Sequence, residues 1–330
     1  MISSPDTANV PRLALLESMK RMRACEEGIA ARYAEQKMRC PVHLSTGQEA
    51  VSAGVGQVLR TSDLAVSGHR AHLHYLAKGG SMNRMLAEIY GRATGCSRGK
   101  GGSMHLIDEE VGFKGSTAIV AGTIPLGTGL GLSISLKRSD QIACVFLGDA
   151  AVEEGVFFES INFAILRQLP VLYICENNLY SVYSPLSVRQ PAGREIHEMV
   201  AGLGIQAGHG DGNAVEVVYS MCRNAVASIR AGGGPVFLEF PTYRWREHCG
   251  PNFDNDIGYR TESEYLAWRD RDPVAQYERQ LLESGFIDRH TIAAMNARVE
   301  LEIATAFEFA ERSPFPEPSE ASRDVYWGDD

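Results

Sequence analysis

Residues 142–184 read IACVFLGDAAVEEGVFFESINFAILRQLPVLYICENNLYSVYS, and the periodicity of this stretch sets the fold class. Ile142 to Leu147 is an unbroken apolar run, Glu153 to Arg167 brings Phe157, Ile161, Ala164 and Ile165 to helical spacing, and Val171 to Cys175 is apolar again. Strand, helix and strand, with no polar alternation in either strand, is the pattern of a parallel sheet covered by helices on both faces. Polar residues follow each strand: Asp149 in FLGDA, then Asn177 and Asn178 in ICENN. Ligands of open parallel sheets sit beyond the carboxyl ends of the strands, and neighbouring strands lie only about 4.8 Å apart. A carboxylate and an amide oxygen from the two tips can therefore reach one ion.

Such a donor set is oxygen only and leaves several positions open, which suits Mg2+ completed by phosphate oxygens and water. The turn GDAAVEEG leads into a helix, whose first N–H groups and positive end favour phosphate. On spacing alone a plainer reading stands beside it, in which Asp149 only caps the helix and the Asn pair makes a turn.

Upstream, Leu15, Met19, Met22, Ile29 and Tyr33 recur at helical spacing, and a loop with a short helix over 39–60 precedes a short strand, Leu64 to Ser67. From Gly91 to Gly115 the glycine content is too high for a helix and the alternation too weak for a strand, so a long ordered loop is expected there, and such loops tend to be functional. Downstream, a helix over 213–230 leads to a further strand, Val236 to Phe240, and the tail from Glu262 is charged and helical with Pro273 as a helix start. The 330 residues are read as one α/β domain, with an N-terminal helical segment over 1–40 and a helical extension over 262–330.

A net charge of −9 leaves no basic stripe for nucleic acid, so an anionic ligand has to be met locally. No basic leader followed by an apolar run opens the chain, and the weakly polar stretch Ala118 to Leu136 carries Pro125 and four glycines, which suits a buried, close-packed segment better than a membrane span. Seven cysteines without a CxxC are expected to be reduced thiols of a cytoplasmic protein rather than a zinc site or disulfide framework.

The run from Gly148 to Ser184 resembles the thiamine-diphosphate motif, GDG followed about thirty residues later by NN, of the α subunits of pyruvate, branched-chain and acetoin dehydrogenase E1 components. The resemblance extends from about His43 to Trp268 through HLSTGQEA (43–50), HRAH (69–72), GRATGCSRGKGGSMH (91–105), AIVAGTIPLGTG (118–129) and TYRWREH (242–248). It implies a thiamine-diphosphate-binding α/β fold, thiamine diphosphate and Mg2+ as cofactors, and cleavage beside the carbonyl of a small 2-oxo acid or acetoin-like donor. Carried over position by position, Asp149, Asn178 and the main-chain carbonyl of Tyr180 hold the metal. Gly148, Ala150, Ala151, His69 and Arg70 lie along the diphosphate, with Arg70 as its clamp. Val120 backs the pyrimidine, His248 stands between diphosphate and reacting centre, and His43 stands on the substrate side. Histidine is suited to the proton transfers by an unperturbed pKa near neutrality.

Three departures from the family pattern matter. Ala150 replaces the second glycine of GDG, at a cost of about 1–2 kcal/mol if the backbone there is left-handed. His69 stands where many relatives have tyrosine, a feature of the acetoin type, and REHC replaces HGHS, so the serine phosphorylated in mammalian members is Cys249 here. The glutamate that pairs with the aminopyrimidine comes in such relatives from a β subunit, so an α2β2 assembly is implied, with a lipoyl-bearing acyltransferase as a further partner. The readings weighed against this one are a non-oxidative carboligase, a non-catalytic scaffold, and a nicotinamide-dependent dehydrogenase suggested by Gly127, Gly129 and Gly131. The last lacks a strand directly before the glycines and an acidic residue about 20 positions on.

Overall fold

A computed structural model describes residues 10–323. Six parallel strands form the sheet: β1 (Leu64–Ser67), β2 (Phe113–Ser116), β3 (Ala143–Gly148), β4 (Val171–Asn177), and, beyond a two-stranded antiparallel hairpin of β5 (Tyr180–Ser181) and β6 (Ser184–Pro185), β7 (Gln206–His209) and β8 (Val236–Pro241). Their order is β2-β1-β3-β4-β8-β7. The connection leaving β1 runs to one side of the sheet and the one leaving β3 to the other, so a crevice opens between their carboxyl ends, where α/β sheets take ligands.

Alternate residues of the apolar strands face opposite cores. Cys144, Phe146, Leu172 and Ile174 join a cluster built with helices Arg12–Tyr33, Glu49–Gly56, Val215–Arg230 and Arg289–Arg312. Ala143, Val145, Leu147, Val171 and Tyr173 join the other, under helices Thr123–Lys137, Gly155–Leu166 and Ile196–Ala201. A buried Val, Leu or Phe stabilises the fold by about 1.5–3 kcal/mol, which accounts for strands without a polar face. Helix Pro273–Glu283 starts at its proline, with Asp272 as N-cap accepting from Val274 N–H.

Two short strands, β2 and β7, are not distinguished by the sequence pattern, and β2 takes the end of the glycine-rich stretch that the composition assigns wholly to loop. The segment expected to be buried is buried on one face only. Helix Thr123–Lys137 packs Gly127, Thr128, Gly131 and Ile134 inward and leaves Leu126 and Leu136 exposed. A Cβ on Gly127 would lie 2.2 Å from Val145 Cγ2, so this glycine allows the helix close to the sheet and is not part of a nucleotide turn. Among the described residues no helix is long and apolar enough to cross a membrane, and all seven cysteines are free.

The glycine-rich loop is ordered by one buried carboxylate. Glu88 accepts hydrogen bonds from the N–H groups of Ser97 (2.8 Å), Gly99 (2.8 Å), Gly101 (2.7 Å) and Gly102 (3.1 Å). A second buried network joins the segments that carry the site. Glu26 meets His72 Nδ1 at 2.7 Å and accepts from Ser45 N–H at 2.6 Å, and His72 Nε2 lies 2.8 Å from Ser103 Oγ. This Ser-His-Glu arrangement is sealed from solvent, so it fixes loops rather than attacking a substrate.

Candidate active site at the sheet's switch point

A cavity of about 330 Å³ occupies the crevice, within the range of small-molecule sites. All eleven residues singled out from the sequence line it: His43, His69, Arg70, Val120, Gly148, Asp149, Ala150, Ala151, Asn178, Tyr180 and His248. They arrive from separate segments. His69 and Arg70 follow β1, Val120 lies in the turn between β2 and the next helix, Gly148 to Ala151 follow β3, and Asn178 and Tyr180 follow β4.

At the two central tips, Gly148 pairs with Glu176 across β3 and β4, which sets Asp149 next to the Asn pair. Asn177 turns to structure instead, donating to Glu239 Oε1 at 2.7 Å and accepting from Leu179 N–H at 3.1 Å. The side chain of Asn178 donates to Gln48 Oε1 at 3.2 Å, which orients its Oδ1 toward the following turn, where that oxygen accepts from Tyr180 N–H at 3.3 Å. Behind them runs a chain the motifs do not single out: Gln48 to Glu176 (3.3 Å), Glu176 to His74 (3.2 Å), and His74 to Ser67 (2.7 Å). Its one sequence signal is Glu176 itself, a charge at the end of an otherwise apolar strand.

Asp149 is buried, and desolvation raises its carboxyl pKa although Arg189 bonds to it. Arg189 also bonds to Glu153 at 2.5 Å and is a site residue with no motif to announce it. A carboxylate still destabilised by burial, beside an oriented amide oxygen, suits a hard cation with oxygen ligands, so the donor set fits Mg2+.

Ala150 is not among the residues with positive φ, and it lies within a 3-10 turn, Asp149–Glu153, so the cost foreseen for a left-handed alanine does not arise. The same turn separates Asp149 from helix Gly155–Leu166, and the N–H groups nearest the cavity are thus those of the turn rather than of the helix. The left-handed residues lining the site are Ala121 (φ 62°) and Val182 (φ 55°). For a β-branched residue this conformation is strained, and Val182 is held in it by Arg244 Nη2, which donates to its carbonyl at 2.6 Å.

Arg70 straps the two histidine loops together. Its Nη1 donates to Leu44 O at 2.6 Å and its Nη2 to His248 O at 3.2 Å, leaving the Nε–H and the rest of the fork for an anion. Main-chain bonds from Trp245 N–H to Thr46 O (2.9 Å) and from Gly250 N–H to Val42 O (2.8 Å) run the loops side by side. His43, His69 and His248 thus meet with ring centroids 4.7–5.3 Å apart. Burial, then the Arg70 charge, push their pKa values down to about 2, about 3 and about 3. The near-neutral value assumed from the residue type is therefore displaced. The imidazoles are neutral and weakly basic, and an anion on Arg70 removes part of the cause. That response, with the open fork of Arg70, is the fit expected for a diphosphate.

A family model described as dehydrogenase E1 component matches residues 17–319. The chain is 34% identical over 310 residues to the pyruvate dehydrogenase E1 component subunit alpha of Rickettsia typhi, covering 94% of each chain. It is 36% identical over 284 residues to that of Rhizobium meliloti (86% of this chain, 80% of the relative), and 34% identical over 320 residues to the chloroplastic subunit alpha-3 of Arabidopsis thaliana (95% and 74%).

Proposed function

The chain belongs to the dehydrogenase E1 component family, a thiamine-diphosphate-dependent family of oxidoreductases, and on that premise we propose the roles of its residues, its donor and its partners. Asp149, Asn178 and the carbonyl of Tyr180 hold Mg2+, and Arg70 with the N–H groups of Ala150 and Ala151 holds the diphosphate. When bound, thiamine diphosphate supplies the nucleophilic carbon and the electron sink.

The protein's own share is binding, water exclusion and proton movement. His69 and Gly148 would flank the diphosphate, and Val120 would lie against the cofactor's pyrimidine. His248, at the meeting of Arg70 and the open cavity, is placed to accept or return a proton, and an anion on Arg70 offsets the second of the causes that lower its pKa, burial being the first. His43, the most buried of the three, orients the donor's carboxylate or hydroxyl. The donor is a small 2-oxo acid or an acetoin-like compound, which the cavity volume and the names of the pyruvate dehydrogenase relatives support. Oxidative transfer to a lipoyl group is preferred to non-oxidative carboligation on the same ground.

Residues 10–323 are read as one domain, a reading supported by two cores that share β3 and β4. As an E1 α chain it works with a β subunit, proposed to form α2β2 and to supply the glutamate for the aminopyrimidine. The observation that carries the reading is the convergence of eleven residues from separate segments on one cavity. The test is calorimetric titration of thiamine diphosphate with Mg2+ into wild type and Asp149→Ala. Mg2+-dependent binding lost in the variant is expected, and equal affinity in both would refute the metal assignment.

A further inference from the structure

The three oxygen donors proposed for the metal differ in one respect. The amide oxygen of Asn178 and the main-chain carbonyl of Tyr180 can each give a cation a single contact, whereas the carboxylate of Asp149 can give one or two. How many oxygens the protein offers therefore depends on Asp149, and on what holds its second oxygen.

Arg189 holds it. Its Nη2 donates to Asp149 Oδ2, its Nη1 to Glu153 Oε1 at 2.5 Å, and its Nε to Ser184 O at 3.1 Å. Gln190 Nε2 donates to the same Glu153 oxygen at 2.8 Å, so the carboxylate that anchors the guanidinium is itself fixed. The Arg189 side chain is only 10% exposed, which sets this bond apart from a solvent-screened surface pair. Asp149 lines the cavity and Arg189 does not, so the guanidinium reaches the carboxylate from behind the cavity wall and leaves Oδ1 for a cation. Glu153 offsets the guanidinium charge and limits its repulsion of that cation. Tyr180 and Arg189 lie in one short segment, so the stretch that would supply one ligand also fixes another.

We propose that Arg189 is a positioning residue that sets metal specificity: by occupying Oδ2 it confines Asp149 to one-oxygen ligation and so favours Mg2+ over Ca2+. Mg2+ demands near-ideal octahedral geometry, whereas Ca2+ takes about six to eight oxygens and commonly accepts both oxygens of one carboxylate. With Asp149 held to one oxygen, diphosphate and water complete the octahedral set that Mg2+ needs. A freed Oδ2 adds a donor that only the larger, more flexible ion can use. The inference rests on the assignment of Asp149 to the metal.

The test uses the enzyme assembled from the full-length chain and its β subunit, stripped of metal and cofactor, with thiamine diphosphate binding measured calorimetrically against rising Mg2+ or Ca2+. The readout is the ratio of the two half-saturating metal concentrations, which loss of packing alone would not move. In Arg189→Met the preference for Mg2+ should fall by about tenfold, through tighter Ca2+ binding. Arg189→Ala, which also leaves Oδ2 without a donor, should show the same fall, so the outcome does not depend on the folding of one variant. An unchanged ratio in either folded variant overturns the proposal. So does a gain in affinity of equal factor for both ions, which is what removal of a positive charge alone would give. Asp149→Ala separates the two levels. Metal dependence that survives there refutes the ligand assignment itself, whereas metal dependence lost there, with the ratio intact in Arg189→Met, refutes only the role of Arg189.

Discussion

Glu88→Gln tests what orders the glycine-rich loop that walls the site. The carboxylate takes Gly101 and Gly102 N–H on Oε1 and Ser97 and Gly99 N–H on Oε2. Hydrogen bonds to a charged acceptor contribute about 1.5–3 kcal/mol each and neutral ones about 0.5–1.5. The amide keeps one oxygen, turns the other into a donor facing two donors, and removes the charge from all four bonds. Because the four N–H groups are only partly buried and water can replace some of the loss, the net cost is about 3–5 kcal/mol. Much of it is local, so the loop opens before the domain does. Trypsin cleavage after Arg98 and Lys100 should accelerate by roughly 100-fold or more, since every 1.4 kcal/mol is a factor of ten. Thiamine diphosphate affinity should fall with it, because Met104 of this loop lines the cavity. Unchanged cleavage and an unchanged unfolding midpoint would mean that the loop is held by something other than Glu88, and the argument would fail.

The other predictions address packing, strain and pH. Gly127→Ala should cost about 1–3 kcal/mol by overpacking against Val145, and the Gly127→Ala/Val145→Ala double variant should recover part of it in denaturant titrations. Arg244→Lys, which cannot keep the bonds to Arg246 O and Val182 O together, should release the left-handed Val182 and raise the KM for the donor more than it lowers kcat. The metal-free chain should lose stability on acidification. The unfolded-state histidine pKa is about 6.5 and the folded values lie near 2–3, so between them the unfolded state binds more protons and stability falls as pH drops below about 6.5. Unfolding midpoints at about pH 7.5 and about pH 5.5 check this, and His248→Asn should show a smaller difference than wild type; an equal difference would contradict it.

The βαβ unit around Asp149 was legible because its periodicity is local: apolar runs too short for helices, a 3.6-residue repeat between them, and polar residues where each strand stops. Local signals also placed the opening helix, the proline-started helix at Pro273 and the glycine-rich loop. The ordered motifs, from HLSTGQEA to TYRWREH, carried the site residues by resemblance, and they meet in one cavity. What no local pattern holds is the long-range pairing. Arg189 reaches Asp149 across 40 residues, Glu88 organises backbone that follows it, and Gln48 orients Asn178 across 130. The short strands β2 and β7 likewise owe their extended state to the neighbours they pair with rather than to their own side chains.

The sequence by itself determined which side chains are present for the chemistry and that they stand at strand tips, because residue type and hydrophobic period are properties of the chain alone. Only the tertiary structure decided their protonation and company. Burial beside Arg70 makes His43, His69 and His248 neutral, and the crossing of three loops brings them together, because solvation and charge proximity exist only once distant segments share one space.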